Sequence, residues 1–331
     1  MDFSKPSHFL HPSYNSPVTR SWFSKKPAAS SLIYPIFVSE FPEEETSFEK
    51  MPGIFRFGYK NIVSYLKPLV AKGLTSILIF GIITDESKKD PSGTLAGGLK
   101  KDGPVHLALK EIKAALPELY LICDVCLCEY TSHGHCGVFD EEGRLNNAGS
   151  VQRLVEAGMS YIDAGADMLA PSDMMDGRIG ALKAALLKRG LEIPVMAYSA
   201  KFCSGFYGPF RDICNSAPQK GDRRGYQLPC DSKELALRAV ARDLEEGADF
   251  IMVKPISAYL DIVSEIKRKF DCIVSCYQVS GEYSMIYFAA KAGAIDKKRV
   301  VLEYVTSFRR AGVDAIITYF VPELLEWLQE K

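Results

Sequence analysis

The segment Cys123-Asp124-Val125-Cys126-Leu127-Cys128, answered eight residues later by Cys136, gathers thiols at metal-ligand spacing. The apolar lead-in Leu119-Tyr120-Leu121-Ile122 predicts that the cluster stands at the C-terminal end of a buried strand and continues into a glycine-containing loop. Side chains alternate along a strand, so Cys126 and Cys128 face one way and reach one ion, with Cys136 returning on the loop. Cys123 is read as a packing residue. Three thiolates leave a coordination position for water or substrate, the pattern of a catalytic zinc. His133 and His135 offer a fourth ligand that would close the site as a structural one, and the spacing alone leaves both arrangements open. The competing reading is a set of buried small apolar side chains.

Lys254 ends the apolar run Phe250-Ile251-Met252-Val253 and precedes Pro255. An ammonium group there is costly unless it is paired or neutral, and a second ammonium, that of Lys201 after the neighbouring strand, lowers the pKa further. A neutral amine attacks a ketone to give a Schiff base, so Lys254 is the candidate nucleophile; the alternative is a lysine snorkelling to the rim. Phe206-Tyr207-Gly208-Pro209-Phe210-Arg211 and Gly221-Asp222-Arg223-Arg224-Gly225-Tyr226-Gln227 belong to a long, aromatic, glycine-punctuated loop of the sort that covers active sites. Arg211 and Arg223 match a carboxylate bidentately, although either alone is also consistent with a solvated ion pair.

These groups need a scaffold that converges them. Short apolar runs at 32–38, 76–80, 119–125, 167–170, 194–198, 249–253, 272–276 and 314–317 alternate with helix-like stretches, and eight such units predict an α/β protein, a closed (β/α)8 TIM barrel. Three Gly-x-Asp repeats, Ala164-Gly165-Ala166-Asp167, Glu246-Gly247-Ala248-Asp249 and Ala311-Gly312-Val313-Asp314, place glycine at a helix C-terminus just before a strand. Residues 1–30, with Pro6, Pro12, Pro17 and Pro27 and no periodicity, read as an extended N-terminal arm for subunit contacts, and 31–331 as a single catalytic barrel. A barrel keeps its chemistry at the C-terminal ends of its strands, where the runs deliver the cysteines, Ser172 and Asp173, Ser199 and Lys201, Lys254, Ser280 and Glu282, and Tyr319.

The 331 residues carry 40 basic against 41 acidic side chains and no dense basic run, which gives no reason to expect nucleic acid or a membrane surface as partner. A small molecule is the expected partner. Nine cysteines, with neither a secretory leader nor a membrane-length apolar run, predict a reducing, cytoplasmic setting. No glycine-rich nucleotide motif follows a strand, so no nucleotide cofactor is expected.

Cys-Asp-Val-Cys-Leu-Cys-x-Tyr-Thr-Ser-His-Gly-His-Cys-Gly, Ala170-Pro171-Ser172-Asp173-Met174-Met175-Asp176-Gly177-Arg178, Ala200-Lys201-Phe202, Tyr207-Gly208-Pro209-Phe210-Arg211-Asp212, Met252-Val253-Lys254-Pro255 and Val279-Ser280-Gly281-Glu282 occur in order. In these motifs the chain closely resembles the porphobilinogen synthase (5-aminolevulinate dehydratase) family in its zinc-dependent form, from about residue 32 to the C-terminus. The resemblance implies a barrel whose arm wraps a neighbouring subunit in a homo-octamer. It also implies condensation of two 5-aminolevulinate molecules to porphobilinogen with loss of two waters, in haem and tetrapyrrole synthesis. Carried over by position, Lys254 forms the principal Schiff base and Lys201 binds the ketone of the other substrate. Cys126, Cys128 and Cys136 hold zinc, Arg211 and Arg223 bind the second substrate's carboxylate, and Ser280 and Tyr319 the first's. Asp124 and Ser172 line the reacting centre, and Tyr207 and Gln227 complete the substrate contacts.

Several positions depart from the family pattern. Ile256 replaces a small residue, Gln278 a histidine, and Gly225 a cysteine of a secondary metal site, which weakens a second metal there. Residues 95–98 lack the expected acidic side chains, and Cys230-Asp231-Ser232-Lys233 replaces a Pro-Gly-Ala-Arg-like stretch. Two alternatives follow: a divergent paralogue that takes another amino ketone or resists an inhibitor, and a catalytically weak zinc-binding subunit.

Overall fold

The computed structural model describes residues 29–97 and 102–329. The expected arm lies outside the described residues except for its last two, which enter the 3-10 turn Ala29–Ser31; Gly98, among the positions expected to differ from the family, lies outside them as well. Each of the eight apolar runs forms a strand. In chain order, with a short hairpin included, the strands are β1 (Leu32–Ser39), β2 (Glu45–Ser47), β3 (Phe55–Gly58), β4 (Ser76–Ile82), β5 (Tyr120–Val125), β6 (Met168–Pro171), β7 (Met196–Lys201), β8 (Phe250–Lys254), β9 (Ile273–Gln278) and β10 (Ala315–Thr318). The helices are α1 (Ile62–Ala71), α2 (Pro104–Ala115), α3 (Asn147–Ala164), α4 (Arg178–Lys188), α5 (Gly208–Cys214), α6 (Lys233–Glu245), α7 (Leu260–Lys269), α8 (Ser280–Lys291), α9 (Lys297–Ala311) and α10 (Val321–Trp327).

Neighbouring barrel strands pair in parallel in the order β6-β5-β4-β1-β10-β9-β8-β7. The ring closes where Leu169 bridges Val195 and its N–H donates to Pro194 O at 3.1 Å. With both faces covered, the strands can be apolar throughout: every residue of β1 and of β7 is buried. Beyond its pairing with β10 at Leu32 and Ile33, β1 takes β3 alongside Phe37–Ser39, so the unforeseen β2–β3 hairpin flanks the C-terminal mouth.

The Gly-x-Asp repeat has a structural purpose. Gly165, Gly247 and Gly312 adopt φ of 111°, 96° and 115°, the left-handed region that ends each helix cheaply only without a Cβ. The aspartate two residues on reaches sideways to the start of the preceding strand. Asp167 accepts from Leu121 N at 2.7 Å, Asp249 from Val195 N at 2.7 Å and Asp314 from Val274 N at 2.9 Å. Each also pairs with a lysine of the helix leading into that strand: Lys113, Lys183 and Lys267. The N-terminal rim is thereby stitched in three places, leaving the opposite mouth free for side chains with other work.

Candidate active site

Cys126 lies just past the end of β5, and Cys128 sits in the following turn, where Tyr130 N and Thr131 N both donate to Leu127 O at 2.9 and 2.8 Å. Strand alternation is therefore not what aligns the two; the turn is. The result is nevertheless one thiol cluster. Cys126 Sγ and Cys128 Sγ are 3.3 Å apart, and with Cys136 all ligand atoms lie within 4.8 Å, fully buried. Hydrogen bonds from Cys126 and Cys128 hold the Cys136 thiol well below its ordinary range, whereas burial pushes Cys126 up. Three thiols with one readily deprotonated suit a soft cation.

Neither histidine completes the set. The ring nitrogens of His135 engage Tyr226 OH at 3.1 Å and Lys220 O at 2.9 Å, and those of His133 engage His135 N at 3.1 Å and Pro91 O at 3.2 Å. Among the described residues the cluster offers three protein ligands, the open arrangement.

Lys201 and Lys254 end adjacent strands and are register partners. A register shift between Ala197 and Ala200 matters here, because residues 198 and 201 would otherwise point to opposite faces; the bulge re-aims Lys201 so that its Nζ lies 5.6 Å from the Tyr198 ring centroid. Lys254 Nζ lies 5.4 Å from the same ring, 4.1 Å from that of Tyr277 and 5.2 Å from that of Phe210. Burial among these rings, then the neighbouring Lys201 charge, brings the Lys254 amine down to about 7. Lys201 Nζ donates to Ser172 O, which joins the β6 end to the pair.

Asp124, one residue before the end of β5, is pushed up to about 8, first by burial and then by Glu129, against the pull of Lys201 and a hydrogen bond with Ser172. Its Oδ1 has no protein partner. Several other polar groups are likewise buried without a partner: Tyr198 OH, Arg211 Nε, Arg223 Nε and both amide atoms of Gln227. Arg223 is fixed by Nη2 donating to Gly134 O at 3.1 Å and Ser216 O at 2.7 Å, which ties it to the cysteine loop. Buried polar atoms that the fold leaves unsatisfied are what a small polar ligand would satisfy.

On the other flank Ser280 Oγ accepts from Phe210 N at 3.0 Å, Tyr319 OH meets Tyr277 OH at 3.0 Å, and Tyr207 OH donates to Phe202 O at 2.7 Å and Lys254 O at 3.1 Å. Ser199 instead turns back onto Ala197 O, and Asp173 accepts from Met175 N and faces Arg178, so both serve the scaffold. Of the departures, Gln278 is buried and accepts from Thr318 Oγ1 at 2.6 Å, Ile256 is wholly buried, and Gly225 has open space where a Cβ would stand. Sequence reasoning missed Tyr198 and Tyr277, which look like ordinary strand aromatics. It also passed over Glu129, a buried carboxylate raised by burial beside Cys128, whose signal was a charge inside the cysteine segment.

A parallel (β/α)8 barrel with two lysines, three thiols and a carboxylic acid converging on its C-terminal mouth is the class that the geometry defines. The family model described as "Delta-aminolevulinic acid dehydratase" matches residues 9–327. Delta-aminolevulinic acid dehydratase of Schizosaccharomyces pombe is 49% identical over 98% of this chain and 98% of its own length, and that of Bos taurus is 48% identical over 98% and 99%. The crystal structure of delta-aminolevulinic acid dehydratase (porphobilinogen synthase) from Toxoplasma gondii ME49, in complex with the reaction product porphobilinogen, superposes with a TM-score of 0.91 at 35% identity, covering 98% of this chain and 92% of that one. The chain belongs to the delta-aminolevulinic acid dehydratase family.

Proposed function

We propose that the chain is a porphobilinogen synthase, a lyase that joins two 5-aminolevulinate molecules with loss of two waters. The observation that carries the mechanism is the pair of lysines on adjacent strands, one with its amine near neutrality. Lys254 attacks the ketone of the first substrate and holds it as an imine over the Tyr277 ring, with Ser280 and Tyr319 at its carboxylate. Lys201 takes the ketone of the second, whose carboxylate Arg211 and Arg223 receive, with Tyr207 and Gln227 completing the walls. Asp124 keeps its proton near neutral pH and can pass it from the carboxyl to a departing hydroxyl beside Ser172. Holding both substrates side by side removes the entropy cost of a bimolecular step. Zinc held by Cys126, Cys128 and Cys136 would supply Lewis acidity next to the second substrate.

The reading extends to a homo-octamer with residues 1–30 as its arm, and to a cytoplasmic location. The support for the assembly is the family resemblance; among the described residues no helix is long and apolar enough to cross a membrane. The paralogue alternative rests on Ile256 and Gln278, beside the ends of β8 and β9, and neither it nor the weak-subunit alternative is favoured beside relatives that match over nearly the whole chain.

The test is pyrrole formation from 5-aminolevulinate by the purified, zinc-loaded chain, followed with an aldehyde colour reagent. Turnover is the expected result; silence with zinc bound and the fold intact would overturn the proposal.

A further inference from the structure

The chain leaves β7 after Lys201, makes the long excursion that carries Tyr207, Arg211, Arg223 and Gln227, and returns at α6. The neck of this excursion is already paired. Phe202 bridges Leu228, Leu228 N donates to Lys201 O at 3.1 Å, and Cys203 N donates to Leu228 O at 2.7 Å.

Two cysteines flank that neck. Cys230 Sγ lies 2.7 Å from the carbonyl oxygen of Cys203 and donates to it. The carbonyl group and the Cβ of Cys203 both branch from its Cα, so the Cys230 thiol already lies against the residue whose thiol it would join. Both are free thiols; Cys230 is exposed and Cys203 is only partly covered, whereas the three clustered thiols are buried. Tyr259, stacked on Phe202 at 4.1 Å, reaches Cys230 with its hydroxyl and fixes the surroundings of the pair.

We propose that Cys203 and Cys230 are a dithiol modification site that closes to a disulfide across the neck of the substrate loop. The oxidant class is a small-molecule disulfide such as glutathione disulfide. The exposed Cys230 thiolate attacks one of its sulfurs and expels a glutathione thiolate, and Cys203 then attacks the Cys230 sulfur and expels the second. Two protein thiols are oxidised, one disulfide is reduced to two glutathione thiols, and the protein protons pass to solvent or to the leaving thiolates. The crosslink holds the loop ends together whenever the pairing frays. Its meaning for turnover rests on the proposed function; its formation does not.

The experiment incubates the zinc-loaded full chain with glutathione disulfide, blocks remaining thiols and maps peptides by mass spectrometry without reduction. The expected result is a Cys203–Cys230 linked peptide, two hydrogens lighter than the separate pair, absent in Cys230→Ser and in Cys203→Ser. Amide exchange at Cys203 and Leu228 slows at least several-fold in the oxidised protein, and turnover falls and recovers with dithiothreitol, while Cys230→Ser is insensitive. A stable glutathione adduct on Cys230, or a link from either cysteine to any other, overturns the site. A clean crosslink with unchanged exchange and turnover overturns the clamp. Because the mapping needs no activity, a chain that makes no pyrrole still decides the disulfide.

Discussion

At the scale of single residues, the site is governed by what burial does to charge. The Lys254 amine titrates around 7 because loss of hydration on burial and the Lys201 charge both disfavour its ammonium form. Below that pH it is protonated and cannot attack, so borohydride trapping of 5-aminolevulinate should rise with pH through about 7 and level off above, and Lys254→Ala should abolish it. Lys201→Met removes a repulsion, so the midpoint of trapping should move upward; a midpoint that stays put would detach Lys201 from the amine. The same burial costs stability. The folded form binds the Lys254 proton less readily than the unfolded chain, so the cost is full below about 7 and fades as pH rises toward the ordinary lysine range. Lys254→Met should therefore raise the thermal midpoint at neutral pH, and a lower one would contradict a buried amine under strain. At the cysteines, chelation should stop turnover and added zinc restore it. Cys128→Ser should weaken metal affinity by at least the roughly 10- to 100-fold typical of outer contacts, read by competition with a chromophoric chelator. Wild-type affinity in that variant would remove Cys128 from the ligand set.

At the scale of elements, buried carboxylates decide how strand ends sit relative to one another. Glu282, on the first turn of α8, accepts from Ser257 N at 2.6 Å and from Val279 N at 2.6 Å, so it binds the loop after Lys254 to the segment presenting Ser280. Glu282→Gln turns an amide donor toward these N–H groups. Since small misplacements of reacting groups cost up to about 100-fold in rate, kcat should fall steeply while the stoichiometry of trapping at Lys254 is kept. Arg178 on α4 forks onto Asp243 of α6 at 3.2 and 3.3 Å, with Asp173 facing its Nε at 3.8 Å, all fully buried. Breaking such a group leaves an uncompensated charge, so Asp243→Ala should lose about 3–5 kcal/mol in denaturant unfolding. The strands were legible because a strand covered on both faces is a continuous apolar run, and the Gly-x-Asp repeats because a left-handed helix end needs glycine. The partner of each aspartate was not legible, for it lies one strand back and tens of residues away.

At the scale of the whole molecule, the proposed assembly is directly measurable. Sedimentation at micromolar protein should give a particle near eight times the 36.7 kDa chain, and removing residues 1–28 should yield a smaller one. An intact octamer without them would take the arm out of assembly. The sequence by itself determined the barrel and the thiol cluster, and it singled out the lysine proposed as nucleophile and the two arginines, because each rests on residue type and on spacing along the chain. Only the tertiary structure decided the rest. It withdrew both histidines from the metal set by giving their nitrogens other partners. It replaced strand alternation by a turn as the cause of the Cys126–Cys128 approach, and it used a bulge to bring Lys201 to the face of Tyr198. It also exposed Tyr277 and Glu129 as neighbours of the chemistry and set Cys203 against Cys230. The physical reason is the same in each case: pKa, ligand number and reach depend on what lies within a few ångströms through space, and that is fixed by the packing of segments remote in the chain.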